Sequence, residues 1–535
     1  MLTLPRPITD FFPKPVLREK QAKAIGFIQR AVEREYKHIA ITMPTGGGKS
    51  PIGIAACAWA ATTPLVGRPG GYYLTAQKLL QDQLENDFTT PPYKCVSLKS
   101  AVEYACDQAK NCALGAQKKP KGCPTRHMGG CPYAGQKAMF INSTMSVTNY
   151  PYFFTERLYA RQLPRRQVII CDEAHNLESQ IIRFFDIAVS ESKLQEWAPH
   201  IQVPKIETLP EFIEWLSANY LPEAKAKHEA LLMMTESEID EKSAKLCVDI
   251  EQHIIRLERA MELIGDDESQ WVYWQEVDDD RRRTSIARPL NAGPFSHVLF
   301  DAADVKIYMS AYLGEKNVFA RSLGIDPEKL AWMACGSTFD PDKRPVKLLT
   351  IGSMGMRNYE HTMPSMLRVL GKLMAKHADT KGIFHTSSYK VGQDIYDHFQ
   401  NTEHGPRLIF PENAAQREEK FKMHIASKTP TIIISPSMNE GFDFRDDLAR
   451  WQAVVKIPWK NLGDKQIMAK KDQDEAWYAM ETVKSLIQAC GRVCRSEEDW
   501  GTTYVLDADF HRLWDKWQDM FPRWLTDAFV WPERR

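Results

Sequence analysis

The sequence predicts an α/β protein built from two parallel-sheet domains, and three observations carry that reading. Short apolar runs alternate with helix-forming stretches near the start, a long amphipathic interval interrupts them, and the same alternation resumes toward the end. A glycine-rich turn follows the first apolar run, and a pair of carboxylates follows the third. These are the positions at the carboxyl ends of strands where open parallel sheets bind ligands.

Residues 36–42 (YKHIAIT) form the first strand-like run, and the stretch from Ile52 to Ala61 after the glycines is rich in helix formers. Gly71 to Leu74 followed by Lys78 to Leu84 repeats the pattern, as does Gln167 to Cys171 running into DEAHNLESQ. From Val189 to Asp266 apolar residues recur every three or four positions, which predicts a helical insertion. The charged stretch EVDDDRRRT at 276–284 reads as its exit, and VKIYMSAYL at 305–313 brings back the first sheet. GIFHTSSY at 382–389, TIIISPS at 431–437, AVVKIPW at 453–459 and TYVLDAD at 503–509 supply a second sheet.

A chain of 535 residues exceeds one compact core. With 43% hydrophobic and 26% charged residues it has the balance of a folded protein rather than of a disordered tail. Lys plus Arg equals Asp plus Glu at 69 each, so a nucleic-acid surface would have to be a local basic groove. No apolar run reaches the roughly 20 residues of a membrane span, and the amino-terminal stretch lacks the pattern of a secretion signal. The expectation is a cytoplasmic protein with no membrane partner. Eleven cysteines, with Cys57, Cys171 and Cys247 inside apolar stretches, point to reduced thiols rather than a disulfide framework.

In Pro44-Thr45-Gly46-Gly47-Gly48-Lys49-Ser50 the glycines let backbone N–H groups curl around phosphate oxygens. Lys49 supplies a point charge to the β- and γ-phosphates, and Ser50 can ligate Mg²⁺. Methionine occupies position 43, where the strict form of this loop has a glycine. Asp172, followed by Glu173, Ala174 and His175, ends an apolar strand; Asp172 would hold Mg²⁺ through water, and Glu173 would orient and deprotonate the attacking water. Near the other end Gln488, Arg492 and Arg495 fall in QACGRVCR, with the arginines three apart on one helix face, where their planar forks can reach a γ-phosphoryl group from across a cleft.

Cys106, Cys112, Cys123 and Cys131 lie between the glycine-rich loop and DEAH, in a basic segment that includes Lys118, Lys119 and Arg126. Four thiolates can hold one metal centre, and their spacing alone leaves zinc and an iron–sulfur cluster open.

In this order the P-loop, DEAH, SAYL, EGFDF at 440–444 and QxxGRxxR resemble the superfamily 2 DNA helicases, over nearly the whole chain. LKSAVEYAC before the quartet, CPYAGQKA after it and VTNYPYFF further on are similar to the iron–sulfur helicases of the XPD/DinG group. The resemblance implies two RecA-like domains, ATP and Mg²⁺ in the cleft between them, and a [4Fe-4S] cluster on the four cysteines. It further implies that Glu440, Gly441 and Asp443 couple nucleotide state to DNA grip, that Ser310 links hydrolysis to movement, and that Gln21 contacts adenine. Thr75, Gln77, Asn149, Tyr150, Thr386 and Ser387 match positions that face the strand, where hydroxyls and amides bind phosphates without reading sequence. Tyr150, Tyr152 and Phe153 are also candidate stacking platforms, although core packing explains such aromatics equally.

The resulting expectation divides the chain into helicase domain 1 (residues 1–100, 141–185 and 291–335), a cluster insertion (101–140), an arch-like helical insertion (186–290) and helicase domain 2 (336–535). Cluster domain and arch flank a pore for one strand in the 5′ to 3′ direction by resemblance. The expected partners are single-stranded DNA, forked or tailed duplexes and R-loops, bound by a monomer acting in repair or replication in a bacterial or virus-infected cell. Two other functions fit the motifs: a translocase that strips proteins or R-loops, and a scaffold with a static nucleotide switch.

Overall fold

The computed structural model describes residues 6–532 apart from 45, 64, 77, 107–110, 113, 114, 116–129, 161, 235–239, 338, 437–443, 445 and 495–497. The first domain is built on β1 (His38–Thr42), β2 (Arg68–Thr75), β3 (Cys95–Ser97), β4 (Met145–Asn149) and β5 (Arg166–Cys171), together with β9 (Ala303–Ser310) and β10 (Leu330–Ala334), which follow an insertion. All seven pair in parallel, in the order β10-β1-β9-β5-β2-β4-β3. Alternate residues feed two separate cores. Ile39, Ile41, Tyr73, Val168 and Ile170 join one cluster, while Ala40, Tyr72, Leu74, Ile169 and Cys171 join the other. That is why these strands are largely apolar on both faces: a parallel sheet covered by helices has no wet face.

The insertion contains β6 (Ile187–Ser190), β7 (Trp271–Val277) and β8 (Arg283–Pro289), an antiparallel three-stranded sheet in the order β6-β8-β7, as well as the expected helices, of which Glu241–Asp266 is the longest. The purely helical reading of 186–290 is thereby corrected. The charged stretch at 276–284 is the tip of the β7–β8 hairpin, where Arg281 takes φ +63° and the Asp278 carboxylate accepts from Arg282 N at 2.8 Å. The run WVYWQEV, rich in aromatic and β-branched residues, belongs to a strand.

The second sheet contains β11 (Val346–Gly352), β12 (Gly382–His385), β13 (Leu408–Ile409), β14 (Ile432–Ser435), β15 (Trp451–Val454), β16 (Thr502–Asp507) and β17 (Phe529–Val530). Its order is β13-β14-β12-β15-β16-β11-β17, parallel throughout. The segment after β9 belongs to both halves: Tyr312 and Val318 pack into the core of the second domain, and the Tyr312 hydroxyl donates to the Met520 carbonyl.

A fully buried arginine ties the cysteine-bearing segment to the first sheet. Arg166 donates to the carbonyls of Pro69, Phe140, Ile141 and Ser143 and to Ser146 Oγ, at 2.7–3.3 Å, and its guanidinium lies 4.9 Å from the Tyr72 ring centre. Helix Pro132–Asn142, which starts directly after Cys131, is thereby held against β2 and β4. The sequence reading did not single out this residue, because an arginine at a strand start usually faces water.

Candidate nucleotide site and interdomain cleft

The P-loop forms where β1 runs out and helix Lys49–Ala60 begins. Gly46 and Gly48 take φ of +81° and +80°, a region open to glycine, and a Cβ on Gly48 would sit 2.2 Å from the Gln21 amide. Met43 is buried, with its side chain pressed against Gly47, and Lys49 Nζ donates to the Met43 carbonyl at 3.0 Å. The methionine that breaks the strict signature thus packs beneath the loop, leaving its phosphate-facing side unobstructed. Gln21 is brought to the loop: its Nε2 donates to Gly48 O at 3.1 Å and its Oε1 accepts from Arg18 N at 3.0 Å. One end of this side chain holds the loop and the other caps its own helix, and the adenine role belongs to the proposal below.

Asp172 and Glu173 follow β5, as the sequence predicts. Asp172 is buried; Tyr73 donates its hydroxyl to Asp172 Oδ2 at 3.0 Å, and Asp172 Oδ1 accepts from Glu173 N at 3.0 Å. Burial and the neighbouring Glu173 charge push its carboxyl above the ordinary range, against the pull of Lys49. Glu173 sits at φ +49°, strained for a residue with a side chain, and this turns its carboxylate toward His175. Burial alone would raise the Glu173 carboxyl, but the His175 hydrogen bond and the charges of Lys49 and Arg492 outweigh it and hold the group low. Glu173 is therefore an ionised carboxylate, and Asp172 the more easily protonated of the two.

His175 links the two domains. Its Nδ1 lies 2.8 Å from Ser310 Oγ and 3.2 Å from Glu173 Oε2, and its Nε2 faces the amide nitrogen of Gln488 across the cleft. An amide N–H can only donate, so the ring nitrogen opposite it accepts and the ring proton resides on Nδ1, facing the carboxylate and the serine. Lys484, one helical turn before Gln488, donates to the His175 carbonyl at 3.1 Å. Arg492 is buried and its charge acts on Glu173, so it belongs to the same site. Tyr73 and Lys484 escaped the sequence reading; one looks like a core aromatic and the other like a surface charge.

Thr45, Gln77, Cys123, Glu440, Gly441, Asp443 and Arg495 lie outside the described residues. Of the cysteine quartet, the Cys112 and Cys131 sulfurs are 3.6 Å apart, soft donors close enough to share one iron or zinc centre. Cys106 is half-buried, and among the described residues no group of three His, Cys, Asp or Glu donors converges.

Several strand-facing expectations are corrected. Tyr150 is completely buried and donates its hydroxyl to the Asp172 carbonyl at 2.7 Å, and Phe153 is buried as well, so neither presents a face for base stacking. Thr75 and Thr386 are also fully buried, and Thr386 Oγ1 donates to Ser388 O at 3.0 Å; sheet packing leaves these hydroxyls no access to a phosphate in this conformation. Asn149 caps its helix by accepting from Tyr152 N at 2.9 Å, and Ser387, at φ +54°, donates to the Lys456 carbonyl at 3.0 Å. Both remain partly exposed.

Two parallel-sheet lobes, a glycine-rich loop on one and a glutamine–arginine helix reaching toward it from the other, form a cleft whose groups suit a nucleoside triphosphate. A helicase C-terminal domain model matches residues 371–528, and a model described as the res subunit of type III restriction enzymes matches 14–196. The chain is 30% identical over 107 residues to the regulator of telomere elongation helicase 1 homolog of Caenorhabditis elegans, covering 17% of this chain and 10% of that protein. It is 30% identical over 118 residues to the Fanconi anemia group J protein homolog of Gallus gallus (20% and 9%). The chain thus spans about a tenth of the length of these curated relatives. They are eukaryotic and do not support the expected bacterial or viral source. An XPD helicase structure superposes with a TM-score of 0.66 at 15% identity over 97% of this chain and 100% of the other, and the structure of S. tokodaii Xpd4 does so at 0.58 and 13% (96% and 100%). The chain thus shares the fold of these XPD structures, two parallel-sheet α/β domains, and is similar over short stretches to the helicases named above. No helix among the described residues is long and apolar enough to cross a membrane.

Proposed function

We propose that the protein is an ATP-dependent DNA helicase that moves 5′ to 3′ on single-stranded DNA and opens forked or tailed duplexes. The observation that carries the ATPase half of this reading is the bridge from Glu173 through His175 to Gln488, which joins the water-activating carboxylate of one domain to the arginine helix of the other. ATP binds with its phosphates on the N–H groups of the P-loop and on Lys49, and with its adenine beside Gln21. Asp172 and Ser50 would hold Mg²⁺, which when bound neutralises charge on the phosphates. Glu173 accepts the proton of the attacking water, and Arg492 with Arg495 stabilises the charge on the γ-phosphoryl group. Loss of the γ-phosphate removes what draws the arginine helix inward, so turnover opens the cleft and the two lobes exchange their grip on DNA. Cys106, Cys112, Cys123 and Cys131 would hold a [4Fe-4S] cluster near the duplex junction, a reading supported by the sequence resemblance around the quartet and by the adjacent Cys112 and Cys131 thiols.

The test is strand displacement by anaerobically purified protein with ATP and Mg²⁺, on duplexes carrying a 5′ or a 3′ tail, with Lys49→Ala as control. Displacement from 5′ tails alone supports the proposal. DNA-stimulated hydrolysis without displacement favours the protein-stripping or R-loop translocase, and no hydrolysis with DNA favours the scaffold. Iron and acid-labile sulfide assays test the cluster, with zinc in place of both as the opposing result.

A further inference from the structure

The helix Glu475–Cys490 meets the first domain at two ends with different chemistry. At its carboxyl end Lys484 and Gln488 each make a hydrogen bond to His175 beside the nucleotide loop. At its amino end stands a buried network. Glu178, on the helix that leaves DEAH, gives Oε1 to the ammonium of Lys470, while its Oε2 accepts from Trp477 Nε1 at 2.8 Å. Lys470 Nζ also lies 4.5 Å from the Trp477 ring centre, so each of the three side chains touches the other two. Lys470 is 2% exposed, Trp477 5% and Glu178 8%. Around them Gln466 donates to the carbonyls of Pro289 and Leu290, and Arg288 bridges Asp186 and Asp464. Halfway along, Met480 packs on Gly314, where φ is +93° and any Cβ would lie 2.1 Å from the Met480 sulfur.

We propose that Glu178, Lys470 and Trp477 are positioning residues that fix the amino end of this helix to the DEAH helix, making it a lever whose other end swings with the nucleotide. The physical reason is the asymmetry of the two contacts. A small slip at the amino end separates two buried opposite charges without admitting water, which is strongly unfavourable. At the His175 end Lys484 keeps its ion pair with Glu481 when it leaves the His175 carbonyl, and the Gln488 amide is uncharged, so parting there leaves no unpaired charge. Eleven residues separate Trp477 from Gln488, roughly 16 Å of helix, so a modest rotation at the fixed end displaces Gln488 and Arg492 by several ångströms. The helix bearing Glu178 begins at Leu177, directly after the short turn bearing His175, so anchor and sensor are three residues apart on consecutive elements.

The inference rests on the ATPase reading, and wild-type turnover separates the two: no DNA-stimulated hydrolysis by the wild type sinks that reading, whereas substitutions in the buried network report on the lever alone. Glu178→Gln keeps the size of the side chain and leaves Lys470 charged without a counter-ion; Lys470→Met does the converse; the double variant removes both charges. Steady-state ATP hydrolysis with and without single-stranded DNA, and thermal unfolding, are measured for each. The expected result is a fall of about tenfold or more in DNA-stimulated kcat for both single variants, with KM for ATP within about threefold of wild type. The double variant recovers the unfolding temperature but not the stimulation, and Lys470→Arg, which keeps the charge, retains most of it. Wild-type stimulation in the single variants, or recovery of stimulation together with stability in the double variant, overturns the proposal, since a purely structural ion pair is dispensable once both charges are gone.

Discussion

His175 and Gln488 face each other across the cleft, ring nitrogen to amide nitrogen, and on the far side of the same ring Nδ1 stands 3.2 Å from the carboxylate of Glu173. One imidazole therefore reads the position of the second domain and orients the residue that activates water. Gln488→Ala removes the amide that sets the ring proton on Nδ1. DNA-stimulated turnover is expected to fall by roughly 10- to 100-fold, the range of a misplaced acid–base group, while nucleotide affinity stays near wild type. Single-turnover hydrolysis with a fluorescent-nucleotide titration measures both, and equal losses in affinity and rate would contradict the assignment.

Glu173→Gln tests the carboxylate directly. The substitution keeps shape and removes the proton acceptor, so hydrolysis should drop by about 10²- to 10⁴-fold with binding preserved. Because neighbouring cations hold Glu173 ionised, the wild-type rate should show no acid limb from this group at or above its ordinary carboxyl range. Asp172, whose carboxyl burial and the Glu173 charge push up, accounts for any fall in rate from pH 7 to 5, and added Mg²⁺ should relieve it by favouring the ionised form; a fall that Mg²⁺ leaves unchanged, with the fold intact, would argue against the environment given to Glu173.

Arg166→Met should destabilise the protein by about 3–5 kcal/mol, since it strips four carbonyls and Ser146 Oγ of a buried donor. Urea unfolding gives the number. The segment around Cys131 should also become the first site of proteolytic cleavage, and an unfolding midpoint equal to wild type would contradict the role given to the guanidinium.

Acid should weaken the fold through its buried histidines. Burial holds the imidazoles of His253, His385 and His424 down to about 4, from an ordinary value of 6.5. Below pH 6.5 the unfolded chain binds protons that these folded rings refuse, so stability falls by up to about 1.4 kcal/mol per pH unit for each. Asp507 works in the opposite sense: burial raises its carboxyl to about 6, so it takes a proton more readily folded than unfolded and offsets about one histidine. The net expectation is a loss of about 4 kcal/mol between pH 7 and pH 5, read from urea midpoints. A flat profile would mean that these rings are wet in solution.

The two-sheet architecture was legible because its signals are local. A strand buried on both faces must be largely apolar, and a phosphate-binding turn must place glycines before a lysine, so β1, β5 and the P-loop can be read from a few consecutive residues each. Lys49, Asp172, Glu173, Gln488 and Arg492 were legible for the same reason, each lying in a short motif with one chemical use. The insertion was read as helical because its helices supply most of its length, while the β6–β8–β7 sheet takes its strands from stretches about eighty residues apart.

The sequence by itself determined the nucleotide chemistry, since that depends on which side chains stand within a few residues of one another along a turn. Only the tertiary structure decided how the chemistry is joined to motion. Glu178 meets Lys470 and Trp477, and His175 meets Gln488, across some 300 residues of chain. It also decided which tyrosines are core and which hydroxyls are shut away from solvent. The reason is that burial and pairing depend on what packs opposite a side chain, and partners so distant leave no periodicity or spacing by which one can be inferred from the other.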